Sequence, residues 1–155
     1  MVKLIYGSPC SGKTTYIKQF MGDNDVVCDV DLIYQSISNR DSHDADLYVH
    51  EIALKLREQL LDIIRDRSME FNDAYVVSIA NNYKKLQEDI DRVNADMIVF
   101  VDTPYEICWE RAIKERKKYF KYFVDEWFST KEFNEREDLL NAEKSSTYFL
   151  KWKNY

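Results

Sequence analysis

The most informative segment of this 155-residue chain reads Gly7-Ser8-Pro9-Cys10-Ser11-Gly12-Lys13-Thr14. It completes the pattern G-x-x-x-x-G-K-[ST], follows an apolar segment at Val2–Tyr6 and leads into a helical pattern at Thr14–Met21. Glycines let the backbone amides curl around phosphate oxygens, and the helix N-terminus adds the positive end of its dipole. Average residue usage gives the bare pattern by chance in roughly one chain in a hundred of this length. The segment therefore predicts a phosphate-binding loop rather than a tight turn with a stray lysine.

Residues of this loop and of the first helical turn are the expected nucleotide ligands. Lys13 is expected to reach the β- and γ-phosphates, and the Thr14 hydroxyl is expected to hold Mg²⁺. The predicted cofactors are therefore ATP and Mg²⁺. The full predicted binding segment consists of Gly7, Ser8, Pro9, Cys10, Ser11, Gly12, Lys13, Thr14 and Thr15.

Composition restricts the class of protein. With 45% hydrophobic residues the chain can bury a core, and its length fits one domain, residues 1–155. Neither a run of about eighteen apolar residues nor a cleavable signal pattern is present, so we expect a cytoplasmic protein without a membrane partner. Three cysteines without a C-x-x-C pair favour neither a disulfide framework nor a zinc site. The net charge of -6 disfavours nucleic acid as a partner and leaves only a local contact open.

Apolar segments of strand type alternate with helical patterns along the chain, which predicts a parallel sheet with right-handed crossovers. The expected strands are Val2–Tyr6, Val26–Val30, Ala74–Ala80 and Met97–Val101. The expected helices are Thr14–Met21, Asp31–Ser38, Leu47–Arg67, Asn82–Val93, Tyr105–Phe123 and Val124–Asn141. The tail Ser145–Tyr155 fits either a strand or a helix end. The core-facing stripe of the longest helix is predicted to consist of Leu47, Ile52, Leu56, Leu60, Ile63 and Ile64.

Two acids, Asp29 and Asp31, end the second expected strand. In an open parallel sheet the carboxyl ends of the strands form the ligand crevice, so this pair should face the phosphate-binding loop. One spacer residue would put both carboxylates on the same side of an extended chain. One acid can then orient a Mg²⁺-bound water while the other accepts a proton from an acceptor hydroxyl. Solvated acids at a strand end are the alternative.

The most apolar strand, Met97–Val101, is followed by Asp102-Thr103-Pro104, which is the general form of a Walker B segment. In P-loop proteins such an acid holds Mg²⁺. Capping of the next helix by Asp102 or Thr103 explains the same residues equally well. Asp102 is therefore a candidate metal ligand, with capping left open.

A basic run, Arg111–Lys121, contains six basic residues and one acid. Such a run is usually a solvated face. Phosphoryl transfer, however, needs cations over the transferring group, and a mobile lid with arginines supplies them in small kinases. Arg111 and Arg116 are the candidates, because the planar guanidinium suits phosphate better than an ammonium does. A basic helical lid is expected over about residues 109–123.

With these motifs the chain resembles the short P-loop kinase/ATPase proteins encoded by bacteriophages and prophages. The matching pieces are Leu4–Thr15, Cys28–Asp31, Ile98–Pro104, Cys108–Ala112 and Val124–Phe128. The resemblance implies an α/β protein with a three-layer P-loop NTPase fold, a parallel sheet flanked by helices as in nucleoside and nucleotide kinases. For a phage-encoded protein it implies the host cytoplasm.

The N-terminal part also resembles the kinase domain of phage polynucleotide kinase. That resemblance implies that Asp31 is the base that activates the acceptor hydroxyl, and similarity to shikimate kinase-like enzymes implies the metal-side role for Asp29. One departure is present, because polynucleotide kinase has an acid at the end of its next strand, where this chain has Ile79. This departure and the net acidity both disfavour a polynucleotide acceptor.

Three functions are therefore open. The first is an ATP-dependent kinase of a small acceptor, a nucleoside or nucleotide, and the second is a polynucleotide kinase. The third is an ATP-binding or ATP-hydrolysing regulatory protein without a phosphoryl acceptor. The D-x-D pair and the basic run favour the first two, in which catalysis would depend on Lys13, Asp29, Asp31, Arg111 and Arg116. The oligomeric state is not indicated by the sequence.

Aromatic residues are concentrated in the C-terminal part, where eleven of the 22 lie in the last 37 positions and alternate with lysines. Such rings can stack on nucleobases. At helical spacing they more often pack a terminal helix onto a sheet. Packing is therefore the expectation.

Overall fold

β1 (Val2–Tyr6) lies at the centre of a five-stranded sheet in which all neighbouring strands are parallel. This arrangement is seen in a computed structural model that describes residues 1–40, 46–115, 119–131 and 148–153. Across the sheet the order is β2 (Val26–Cys28), β3 (Ala74–Ser78), β1, β4 (Met97–Val101) and β5 (Tyr148–Trp152). The predicted parallel sheet is thus confirmed.

Helices cover the sheet on both faces. Within the described residues they are α1 (Lys13–Phe20), α2 (Val30–Ser38), α3 (Leu47–Asp66), α4 (Tyr83–Val93), α5 (Tyr105–Glu115) and α6 (Phe120–Thr130). On one face Leu4 of β1 belongs to a core cluster with residues of α3, α4 and α6. On the other face Ile5 packs with Tyr16 and Ile17 of α1. The side chains of Leu4 and Ile5 are both fully buried, as expected for a central parallel strand that is covered on both faces.

The stripe predicted to face the core is wrong for the first half of α3. The exposed members are Leu47, Ile52 and Leu56, at 68%, 52% and 38%. The buried residues of α3 are Ala53, Leu61 and Ile64. The reason is that the first half of α3 packs on the short helix α2. The buried Tyr34 of α2 contacts the tilted His50 ring at a centroid distance of 6.4 Å and accepts a hydrogen bond from the Asp46 amide. A neighbouring helix covers less of α3 than a sheet would.

The predicted boundary between the last two helices is also wrong. α5 ends at Glu115 and α6 already begins at Phe120, with Lys131 in extended conformation ending α6. The part of the predicted helix beyond Lys131, up to Asn141, lies outside the described residues. The tail that the sequence left undecided forms β5, which pairs with β4 along its whole length.

The C-terminal aromatic residues follow the packing expectation in part. Trp127 is buried, Phe128 and Phe149 pack against the main core, and Trp152 meets Tyr16 edge to face at 5.2 Å. The exposed rings are Tyr119, Tyr122, Phe123 and Tyr148. Phe133 and Tyr155 lie outside the described residues.

Two expectations drawn from composition can be compared with the structure. Among the described residues, every helix is too short or too polar to cross a bilayer. The three cysteines are free thiols, with Cys28 and Cys108 buried and Cys10 half-buried.

The two faces of α3 can be distinguished by paired substitutions. Ile64→Ala should lower the free energy of unfolding by about 2 to 5 kcal/mol, because it leaves a cavity in the core. Ile52→Ala removes the same atoms from an exposed position and should change it by less than about 0.5 kcal/mol. Urea denaturation measures both. Equal losses would mean that the predicted stripe does face the core.

Candidate functional site

The phosphate-binding loop lies where the sheet changes its winding direction. The chain leaves β1 through α1 toward the β2 edge, whereas it leaves the neighbouring strand β4 through α5 and α6 toward the β5 edge. At such a point the carboxyl ends of the strands border a ligand crevice. A hydrogen bond of 2.7 Å from the Thr103 hydroxyl to the Ser11 carbonyl joins the two loops that follow β1 and β4.

Glycine is required at the start of the loop by the closeness of β4. A β-carbon on Gly7 would lie 2.8 Å from the Val101 carbonyl oxygen and 3.0 Å from Ser11 Oγ, and the φ angle is +154°. Further along, Cys10 and Gly12 adopt left-handed conformations, with φ of 61° and 99°. These residues turn the backbone tightly before α1 begins.

The start of α1 presents groups that fit a phosphate. The first amides of any helix have no intrahelical acceptor, and Gly12 supplies no side-chain cap to α1. In contrast, Asp29, Asp46 and Asn82 cap α2, α3 and α4. The Ser11 hydroxyl is buried and has no hydrogen-bond partner among the described residues. Backbone amides and a hydroxyl are the donors that bind phosphate oxygens at helix N-termini, so the loop fits the nucleotide that its sequence predicts.

Lys13 lies inside the loop. Its Nζ donates to the carbonyl oxygens of Gly7 and Ser8, at 2.9 and 2.7 Å. Burial lowers the pKa of Lys13 to about 8, against the opposing effect of nearby Asp29 and Asp31. The cation is thus held where a bound phosphate would lie, and two carboxylates are within electrostatic reach of it.

The prediction that Asp29 and Asp31 project from one extended strand is wrong. β2 ends at Cys28, Asp29 is the N-cap of α2, and Asp31 lies in the first helical turn. The Asp29 carboxylate accepts a hydrogen bond of 2.9 Å from the Asp31 amide. Aspartate is among the strongest N-caps, so the cap ends the strand two residues earlier than the apolar pattern indicated.

The two acids have different environments. Asp29 is 7% exposed, and burial raises its pKa while the hydrogen bond from the Asp31 amide and the charges of Lys13 and Arg57 act in the opposite direction. Asp31 is exposed to solvent. Sequence analysis missed Arg57, because nothing in the pattern of α3 separates it from the other charged residues of that helix.

Arg111 contacts the loop from α5. Its Nη1 donates to the carbonyl oxygens of Cys10 and Ser11, at 3.3 and 3.2 Å. A guanidinium group is therefore fixed beside the phosphate-binding loop by an ordered helix. Arg116, the other predicted lid arginine, lies outside the described residues, and its role stays a prediction.

Asp102 has a protein cation as its partner. Its Oδ2 lies 3.1 Å from Lys151 Nζ of β5, and its amide donates to the Trp152 carbonyl oxygen at 2.9 Å. The metal role of Asp102 stays a prediction.

Among the described residues no group of three histidine, cysteine, aspartate or glutamate side chains could hold a metal ion. Mg²⁺ commonly takes only one or two protein ligands together with water and substrate phosphates. Thr14 and Asp29 stay predicted ligands.

Ile79 lies at the carboxyl end of β3, between the strands that lead to the two acids and to the loop. Its side chain is 63% exposed, and its carbonyl oxygen accepts a hydrogen bond of 3.1 Å from the Trp127 indole. A second bond, from Asn81 to the Thr130 hydroxyl at 2.7 Å, joins the same segment to α6. The end of β3 thus brings an apolar side chain to this edge of the sheet.

Comparison with solved structures identifies the fold. A shikimate kinase from Acinetobacter baumannii, solved in complex with shikimate, matches with a TM-score of 0.56 and 12% identity over 99% of this chain and 84% of that one. Shikimate kinase from Bacteroides thetaiotaomicron matches with a TM-score of 0.52 and 13% identity, over 97% and 85% of the two chains. A chain of the Pnkp1/Rnl/Hen1 complex matches at 0.52 and 19% identity, over 76% of this chain and 40% of that one. No protein-family model and no curated protein matches.

The similarity and the sheet together show an α/β fold of the P-loop NTPase type, with a five-stranded parallel sheet between helices. At these identities the likeness concerns the fold alone. The predicted fold class is confirmed.

The contribution of Lys13 can be measured directly. Lys13→Ala should weaken ATP binding by about tenfold to a hundredfold, since a charge-assisted hydrogen bond contributes about 1.5 to 3 kcal/mol. Lys18→Ala, at an exposed position of the same helix, is the matched control and should bind as the unmodified protein does. Isothermal calorimetry provides both affinities. Unchanged binding by a folded Lys13→Ala variant would contradict the assignment of the loop.

The lowered pKa of Lys13 predicts a pH dependence. Below pH 8 the buried amine is charged, and above it the proton is lost. A bound polyanion requires the charged form, so ATP affinity should fall above about pH 8, by up to about tenfold per pH unit. Arginine keeps its charge throughout this range, so Lys13→Arg should show a flat profile between pH 7.5 and about 9.5. Parallel profiles for the two proteins would show that Lys13 does not titrate there.

Proposed function

We propose that this protein is an ATP-dependent P-loop kinase that transfers the γ-phosphate to a small acceptor, a nucleoside or nucleotide. The observation that supports it is the placement of Lys13 within electrostatic reach of Asp29 and Asp31 at one edge of the sheet. A phosphate-binding cation alone would serve any nucleotide-binding protein. Phosphoryl transfer also needs a carboxylate nearby that can accept the proton of the acceptor hydroxyl.

The two acids have distinct tasks in this proposal. Asp31 is exposed, so an acceptor hydroxyl can reach its carboxylate and transfer its proton there as the oxygen attacks phosphorus. Asp29 is buried and oriented by the bond from the Asp31 amide, which suits a fixed metal-side ligand. With Thr14, Asp29 would hold Mg²⁺ beside the phosphates. When bound, Mg²⁺ neutralises charge on the β- and γ-phosphates.

Arg111 would supply positive charge beside the loop. Its guanidinium bonds to the Cys10 and Ser11 carbonyl oxygens, from where it would reach the transferring group without any lid movement. Charge fixed in this way stabilises the equatorial oxygens of the phosphoryl group in the transition state. Arg116 would add to it from the basic run.

The acceptor class is inferred from charge and from the end of β3. An acidic chain, with a net charge of -6, repels a long polyanion. The exposed Ile79 favours an acceptor that presents an apolar or flat face beside the acids. A polynucleotide end is the second candidate, on the strength of the fold shared with the Pnkp1 complex chain. We place the activity in the cytoplasm, that of the host for a phage-encoded chain.

Transfer is tested with γ-labelled ATP and Mg²⁺ against nucleosides, nucleoside monophosphates and hydroxyl-ended oligonucleotides. Label should appear on a nucleoside or nucleotide. Asp31→Asn keeps the shape but cannot take the proton, so transfer should fall by about two to four orders of magnitude while ATP binding persists. Asp29→Asn retains the N-cap acceptor and should mainly raise the Mg²⁺ concentration needed for activity.

Each other outcome identifies a different error. Label found only on oligonucleotides would favour polynucleotide kinase, and label found only as free phosphate would favour a regulatory ATPase. Transfer by Asp31→Asn at the unmodified rate would remove Asp31 from the mechanism.

A further inference from the structure

Three aromatic rings at the start of α6 form a cluster that has no task in the phosphate chemistry. The rings of Tyr119, Phe120 and Phe123 contact one another, with centroid distances of 5.3 Å (Tyr119 to Phe120), 6.2 Å (Tyr119 to Phe123) and 5.6 Å (Phe120 to Phe123). Tyr119 is 42% exposed and Phe123 is 48% exposed. Large apolar groups exposed side by side commonly mark a binding surface.

This ring cluster is connected to the phosphate-binding loop through α5. Phe120 and Cys10 both pack against the small core formed by Cys108, Ala112 and Val124. Arg111, one turn beyond Cys108, donates to the loop carbonyl oxygens. The ring cluster and the loop are therefore joined through one small core, and α5 is itself bonded to the loop.

The chemistry that matches this layout is that of a nucleotide, which has phosphates at one end and a flat base at the other. A base can stack on an aromatic ring whatever its hydrogen-bonding pattern, because every base has a π-face.

We propose that Tyr119, Phe120 and Phe123 form a stacking site for the nucleobase of a nucleotide bound at the phosphate-binding loop. This inference rests on the proposed function, because it takes the phosphates to lie in that loop. It also predicts how the protein discriminates between nucleobases. Recognition by stacking tolerates different bases, so ATP, GTP and UTP should bind with similar affinities. The base is therefore that of the donor nucleotide, whose phosphates lie in the loop.

Paired ligands with and without a base test the site. Calorimetry would compare ATP, GTP and UTP with inorganic tripolyphosphate, and, as the matched comparison for an acceptor, AMP with ribose 5-phosphate. In the unmodified protein the base should strengthen binding of the triphosphates by about fivefold to a hundredfold over tripolyphosphate. Phe123→Ala should remove most of that advantage and leave the base-free ligands unchanged.

Three further variants separate stacking from packing. Phe123→Leu retains apolar volume without a ring and should behave as Phe123→Ala does, whereas Phe123→Tyr should retain the advantage of the base. Tyr122→Ala removes a ring that is 62% exposed but outside the cluster, and it should change nothing. Circular dichroism confirms that each variant is folded.

The outcomes distinguish this inference from the proposed function. A Phe123→Ala variant that keeps the full base advantage of the triphosphates, or loses triphosphates and tripolyphosphate equally, would overturn the stacking site and leave the kinase proposal standing, and so would a base advantage confined to AMP. Failure of the unmodified protein to bind either ATP or tripolyphosphate would overturn both.

Discussion

The site depends on the absence of a side chain at Gly7. A β-carbon there would lie 2.8 Å from the Val101 carbonyl oxygen, which is closer than real β-carbons approach another atom. Because β1 and β4 are neighbours in the sheet, the loop can start against β4 only while this space is empty. That closeness allows Thr103 to bond to Ser11 and Arg111 to reach the adjacent carbonyl oxygens. The contacts between α5 and the loop therefore require that residue 7 has no β-carbon.

The charge of Lys13 depends on its burial and on the two nearby acids. Burial disfavours the charge on Lys13, and Asp29 and Asp31 partly restore it, so the amine lies close to its titration point at neutral to mildly basic pH. A bound phosphate anion would, like the two acids, favour the charged form of Lys13. The same Asp29 caps α2 through the Asp31 amide. This cap fixes the orientation of the Asp29 carboxylate, so the structural role is compatible with the proposed metal-side role.

Local patterns in the sequence predicted what depends on local interactions. The loop followed from its glycines and Lys13, and the strand Met97–Val101 was predicted with its observed bounds. One error arose where a distant partner decides, because the buried face of α3 depends on its contact with α2. The pairing of Asp102 with Lys151, 49 positions further along the chain, is likewise beyond any local pattern. The reach of Arg111 to the loop depends on the packing of Cys108 and its neighbours, which no spacing rule reveals.

The hairpin of α5 and α6 joins parts of the site that lie on different strands. Arg111 and Cys108 connect α5 to the loop after β1, whereas Trp127 and Thr130 connect the last turns of α6 to the end of β3. α6 has eleven residues and therefore a length of about 16 Å, with the exposed rings at its first turn and these bonds at its last. A base stacked on Phe123 and an acceptor beside Ile79 would therefore contact opposite ends of one helix. They would occupy separate places and would not compete.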